Sequence, residues 1–158
     1  MISARTLGAS APVKRLRQLL LWTSIAGVGG TAVELLLLGH TEGWQQWVPI
    51  ALLALALVCL AWHALRPTRT AAVALQAVLW LCVISGGVGI GLHYQGNAAF
   101  ELEMYPEMAG LELFRETLTG ATPVLAPGTM ALLGIVGLAY LYVSTRLTPP
   151  VPASEVEK

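Results

Sequence analysis

The sequence predicts an all-α membrane protein: a bundle of four transmembrane helices, with a short amphipathic helix in a long outer loop between spans 3 and 4. The 158 residues are 56% hydrophobic and only 11% charged, whereas a soluble domain carries about 25% charged residues. The mean hydropathy is +0.69. Four long apolar runs are hydrophobic around the whole helix and not along one stripe, which favours lipid over water as their surroundings.

The first span is predicted at about 16–38, after a flexible cytoplasmic N-terminus over 1–15. The apolar run from Leu19 to Leu38 would extend about 30 Å as a helix, which is the thickness of the hydrocarbon layer. This run is too long for the apolar part of a secretory signal. It contains Glu34, and a carboxylate at membrane depth is costly. We therefore expect Glu34 to face protein or water.

The second and third spans are predicted at about 48–65 and 71–92. Trp44 and Trp47 precede the second span, where tryptophan side chains suit the headgroup layer. His63, near the far end of the second span, is expected to be an interfacial residue.

Glycines mark the faces along which helices are expected to approach each other. Gly87 and Gly91 form a GxxxG motif in the third span, and Gly27 and Gly30 lie in a small-residue segment of the first span. Glycines let two helix backbones come close together in lipid. We therefore predict that these four glycines mediate helix packing. If the first and third helices touch through them, Glu34 and His93 could be neighbours.

The outer loop is predicted at 93–123 and the fourth span at about 124–143, with Val124 or Gly128 as its first residue. Within the loop, segment 110–119 has apolar residues at helical spacing, namely Leu111, Phe114 and Leu118. This spacing indicates a short amphipathic helix that lies on the membrane surface. The transmembrane domain is thus 16–146, and a flexible cytoplasmic C-terminal tail follows at 147–158.

The basic residues give the orientation. Only Arg115 falls on the outer side of the four-span arrangement, and eight basic residues fall on the other side: Arg5, Lys14, Arg15, Arg17, Arg66, Arg69, Arg146 and Lys158. Basic residues concentrate on the cytoplasmic side of membrane proteins. We therefore expect both termini in the cytoplasm, and the bacterial inner (plasma) membrane as the location.

Other features exclude several classes of protein. The formal net charge is zero, so no basic field indicates nucleic-acid binding. Cys59 and Cys82 lie in apolar runs and are interpreted as buried free thiols. The sequence contains no nucleophile-elbow, metalloprotease or nucleotide-binding motif. Catalytic residues are therefore not predicted.

Polar residues concentrate where the third span ends. If the helix continues, His93, Asn97 and Glu101 share one face, whereas an extended segment would align Glu101 with Glu103 instead. Imidazole and carboxylate groups bind divalent cations. A metal site of Glu34, His93, Glu101 and Glu103, with Asn97 as a further polar group, is one hypothesis. In the alternative, His93 and Asn97 cap helical carbonyls and the glutamates are solvated.

Three functional hypotheses follow. The favoured one is a non-enzymatic subunit or scaffold that forms a homo-oligomer or a larger membrane complex through its glycine-rich helix faces and acidic outer loop. The second is a protein that handles a divalent metal ion or protons, for transport or sensing, with the Glu34 carboxylate and the His93 imidazole as neighbours. The third and weakest is a lipid or quinone binder.

Overall fold

The structure, a computed structural model, describes residues 11–147, and the termini at 1–10 and 148–158 lie outside this range. The described part contains five helices and no strand. Their bounds are α1 Ala11–Leu37, α2 Trp44–Leu65, α3 Arg69–Met104, α4 Gly110–Thr119 and α5 Gly128–Leu147. Four of them (α1, α2, α3 and α5) are long and apolar enough to cross a membrane. The all-α class and the four long apolar helices are thereby confirmed.

The four long helices pack in a closed ring. α1 packs against α2, α2 against α3, α3 against α5, and α5 against α1, while α4 packs on α3. α1 and α3 therefore occupy opposite corners. The short connections at 38–43 and 66–68 make consecutive helices antiparallel. We call the end that holds Ala11, Leu147 and the 66–68 turn the terminal end, and the opposite end, which holds α4, the loop end.

The core consists of apolar side chains from all four long helices. Leu53 and Leu60 of α2, Leu75 and Leu79 of α3, and Tyr140 of α5 are fully buried. The two thiols of the chain are buried in the same cluster and are not bonded to each other. The predicted free thiols are thus confirmed, and each acts as a small apolar side chain.

α1 begins at Ala11, five residues before the predicted start of the first span. Pro12 is compatible with the first turn of a helix, because the amide hydrogen that proline lacks would have no partner there. Lys14, Arg15 and Arg17 are good helix formers. α1 therefore includes the basic cluster as well as the apolar run that follows it. Residues 11–15, which were predicted to be flexible, are helical.

α3 is much longer than the predicted span 71–92. It has 36 residues and continues to Met104, so the first twelve residues of the predicted outer loop 93–123 are helical. Ala98, Ala99 and the residues up to Met104 are mostly good helix formers. The helix ends at Met104 because Tyr105 precedes Pro106, and a residue before proline avoids the helical conformation.

α5 begins at Gly128, the later of the two starts predicted for the fourth span, because residues 124–127 form a turn. Close packing of α3 on α5 depends on glycine. A Cβ atom at Gly86 would lie 2.6 Å from the backbone nitrogen of Ala131, and one at Gly134 would lie 2.7 Å from the carbonyl oxygen of Leu79. Both positions accept only glycine without a backbone shift.

Candidate functional site

Asn97 fastens the loop end to α3. Its side chain is 2% exposed. The Nδ2 group donates to the carbonyl oxygens of Thr117, at 2.9 Å, and Thr122, at 2.8 Å. The Oδ1 atom accepts from the Thr122 amide at 3.1 Å and from the Thr122 hydroxyl at 2.7 Å. These four bonds use the full capacity of an amide side chain. Asn97 therefore holds the end of α4 and the following loop in place, and has no capacity left for a ligand.

His93 makes a related contact one turn earlier on the same face of α3. Its Nδ1 atom lies 3.1 Å from the carbonyl oxygen of Pro123. Because a carbonyl oxygen only accepts hydrogen bonds, Nδ1 must carry the hydrogen in this contact. Only Nε2 remains for another partner. His93 and Asn97 thus bind backbone groups of the 117–123 segment, and not the last carbonyls of their own helix as the capping alternative supposed.

An acidic groove lies at the tip of the loop end. It has a volume of about 480 Å³ and is open to solvent on one side. α3, the following turn and α4 together supply its lining, which consists of Glu101, Tyr105, Glu107, Met108, Glu112 and Glu116. Glu112 and Glu116 are four residues apart and so share one face of α4. Four carboxylates around one groove produce a negative field that attracts cationic groups. Glu103, the other predicted acidic ligand, is exposed and does not line the groove.

Glu34 and His93 are not neighbours. They belong to α1 and α3, which lie at opposite corners of the ring with α2 and α5 between them. Glu34 is exposed on the outer face of α1, so it does not pack between the helices of this bundle; that it faces protein or water stays a prediction. Glu34 and His93 are separated because the glycine faces of α1 and α3 do not face each other, so these two helices do not pack together.

The four glycines predicted for helix packing divide into two groups. Gly27 contacts Leu133 of α5, so it does support packing within the bundle. Gly30, Gly87 and Gly91 have nothing within 4 Å of a built Cβ atom and face outward. On α3, the glycines that pack inward are instead Gly86, against Ala131 of α5, and Gly89, against Pro127 in the turn before α5. A rotation of about 100° per residue places them on another side of the helix.

The structure does not bring the predicted metal ligands together. Along α3, His93 and Glu101 are eight residues apart, which is about 12 Å of helix. Among residues 11–147, no three His, Cys, Asp or Glu side chains are grouped so that they could hold a metal ion. Metal binding by Glu34, His93, Glu101 and Glu103 stays a prediction from the sequence, without support from the geometry of the described residues.

A buried polar cluster at the terminal end was not predicted. His63 of α2 and Tyr140 of α5 are 3% and 1% exposed, and the Nδ1 atom of His63 lies 3.2 Å from the Tyr140 hydroxyl. Their rings meet edge to face, with centroids 5.6 Å apart. The Ser144 side chain also hydrogen-bonds Tyr140, and the charge of Arg17 lies near both rings. His63 is thus buried between two diagonally opposed helices, a contact that its place in the sequence did not indicate; its position at the membrane interface stays a prediction.

Comparisons with known proteins add no further assignment. No protein family matches this chain, and neither curated proteins nor solved structures show a significant similarity to it.

Proposed function

We propose that this chain is a non-enzymatic subunit or scaffold of a membrane assembly and that the outer face of α3 binds a helix of a partner subunit. One observation carries the proposal. α3 has small residues on two sides: Gly86 packs against α5 and Gly89 against Pro127 in the turn before α5, whereas Gly87 and Gly91 face open space. Helices associate in lipid mainly through close backbone packing at small residues. The GxxxG motif of Gly87 and Gly91 supports this role for the outer face of α3.

The distribution of charge supports insertion with both termini in the cytoplasm. The terminal end carries the basic residues of α1, the 66–68 turn and the ends of α3 and α5, whereas the loop end carries the acidic groove. This asymmetry follows the positive-inside rule. α4 then lies on the outer surface of the membrane. Its exposed apolar residues support that placement, because such residues enter the headgroup layer: Leu111, Phe114 and Leu118.

The acidic groove supplies a second contact region for the same partner. Its glutamates come from α3, α4 and the turn between them, so their spacing depends on the Asn97 clamp. A basic segment of the partner outside the membrane would complement this negative field. Complementary charge of this kind increases association rates and orientation specificity more than it increases affinity.

The glycine face is tested by Gly87→Ile. The new side chain meets no atom of the chain within 4 Å of its Cβ position, so the fold is preserved, but a partner helix can no longer approach closely. The assay is native mass spectrometry of the protein excised from its own membrane with a small lipid annulus. We expect the wild type to carry a partner subunit of constant mass and ratio, and Gly87→Ile to lose it.

Gly30→Ile is the matched control, because Gly30 also faces open space but lies on α1, at the opposite corner. The control should keep the partner of constant mass. The groove is tested in the same assay with the double variant Glu112→Gln and Glu116→Gln, which should weaken retention of the partner at physiological salt. A wild type that never carries a further subunit would contradict the proposed function, as would equal retention by the wild type and Gly87→Ile.

A further inference from the structure

The terminal end of the bundle carries basic side chains with no acidic ones beside them. Its cations come from α1, the turn after α2, the start of α3 and the end of α5: Lys14, Arg15, Arg17, Arg66, Arg69 and Arg146. The carboxylates of residues 11–147 all lie towards the loop end: Glu34, Glu42, Glu101, Glu103, Glu107, Glu112 and Glu116. The positive field at the terminal end therefore attracts anions from outside the described part of the chain.

α1 presents part of this charge on an outward surface. Arg17 is only partly exposed, and its charge lies near the rings of His63 and Tyr140. Lys14 and Arg15 are instead exposed. These two cations of α1 are thus free to contact a molecule that lies beside the bundle.

An apolar surface continues from these cations along the same helix. Arg15, Leu19 and Trp22 recur at i, i+4 and i+7, so they share one face of α1, and Leu19 and Trp22 are 65% and 66% exposed. About 10 Å of helix separates Arg15 from Trp22. We call the surface formed by Lys14, Arg15, Leu19 and Trp22 the basic face of α1. It has cations at one end and an apolar strip at the other, as a phospholipid has a phosphate and an acyl chain.

Lipid is the neighbour of this face in an inserted protein. α1 is the least covered of the four long helices: 11% of its most apolar window is buried in the bundle, compared with 28% or more in the others. Basic side chains near the ends of membrane helices extend to the headgroup layer. Of the headgroups there, only the anionic ones complement cations that have no carboxylate beside them. Each Lys or Arg near the surface strengthens this attraction about fivefold.

We propose that the basic face of α1 binds an anionic phospholipid. The lipid phosphate lies against Lys14 and Arg15, and an acyl chain follows Leu19 and Trp22. The inference rests on the membrane insertion that is part of the proposed function. It needs neither the partner helix at α3 nor a particular orientation of the chain in the membrane.

The test measures lipid affinity beside Trp22 by fluorescence quenching with brominated phospholipids. In the reporter variant the other tryptophans, which are all exposed, are replaced by phenylalanine: Trp44, Trp47, Trp62 and Trp80. The vesicles mix phosphatidylglycerol with phosphatidylcholine, and one of the two lipids is brominated at a time. We expect Trp22 to prefer phosphatidylglycerol by about five- to twentyfold, the range for one to two cations. The preference should fall in 1 M salt, where the screening length is about 3 Å.

Arg15→Gln in this reporter variant should lower the preference about fivefold. Arg69→Gln is the matched control, because Arg69 is also exposed at the terminal end but lies on α3, at the opposite corner of the ring. It should leave the preference at Trp22 unchanged. A second reporter that keeps only Trp44, at the loop end, should show no preference for phosphatidylglycerol.

Three results would overturn the inference: equal affinity of the two lipids at Trp22, equal effects of Arg15→Gln and Arg69→Gln, or the same preference at Trp22 and Trp44. Absence of quenching by either lipid would show that α1 lies outside the bilayer, which would contradict the proposed function as well. The vesicles contain no partner subunit. The lipid contact and the partner contact at α3 can therefore fail separately.

Discussion

Replacing Asn97 with alanine should release the loop end from α3. The substitution removes four hydrogen bonds, two donated to the carbonyls of Thr117 and Thr122 and two accepted from Thr122. A net value of about 0.5–1.5 kcal/mol per bond gives an upper limit near 6 kcal/mol. Water can reach the freed groups once the loop opens, so we expect a local loss of about 2–4 kcal/mol in the free energy of opening.

The amide hydrogen of Thr122 reports this loss directly, because in the wild type it donates to Asn97. At a factor of ten for each 1.4 kcal/mol, hydrogen exchange at this amide should accelerate roughly 30- to 700-fold in Asn97→Ala. The measurement is hydrogen–deuterium exchange in lipid nanodiscs, with peptides that cover 117–123. Gln95→Ala is the control, since it removes an exposed amide side chain from the same helix. Unchanged exchange at Thr122 in Asn97→Ala would refute the assignment of Asn97 as the clamp.

Three further predictions concern stability. Gly86→Leu should lower the free energy of unfolding by about 1–3 kcal/mol or more, and with it the melting temperature. Gly87→Leu should leave the melting temperature unchanged. Equal melting temperatures of the two variants would contradict the packing of α3 on α5. Tyr140→Phe removes the hydroxyl that contacts His63 and should lower the free energy of unfolding by about 1–3 kcal/mol; an unchanged free energy in equilibrium unfolding would contradict the hydrogen bond between the two side chains. The Thr117 hydroxyl is buried with no hydrogen-bond partner among the described residues, so Thr117→Val should stabilise the protein by about 1 kcal/mol, and a loss of stability would show that this hydroxyl has a partner.

The four long helices could be predicted because lipid-compatible runs are a property of local composition. Their ends were less predictable. α3 passes the predicted end at Leu92 and continues to Met104, because residues with good helix propensity follow and Asn97 makes its hydrogen bonds to a segment 20–25 residues away. No short window of sequence contains both partners of that contact.

The side of a helix that packs inward could not be predicted from a motif alone. Gly87 and Gly91 match the GxxxG spacing, yet the glycines that pack inward are Gly86, which contacts α5, and Gly89, which contacts Pro127 in the turn before α5. A GxxxG motif shows that a helix can be approached closely, and it does not say which helix approaches. The same limit explains why the burial of His63 was not predicted. Its partner Tyr140 lies across the ring and 77 residues later in the chain.

The length of α3 determines how far its last residues stand from the charged surface of the membrane. In the proposed orientation, the twelve residues after Leu92 extend about 18 Å past the hydrocarbon, and the headgroup layer accounts for about 5–8 Å of this distance. The tip therefore stands roughly 10 Å clear of the phospholipid charges, more than the screening length of about 8 Å at physiological ionic strength. Lipid composition should then have little influence on the field of Glu103, beside the tip of α3. In contrast, α4 enters the headgroup layer in the same orientation, so anionic lipid should change the field of Glu112 and Glu116.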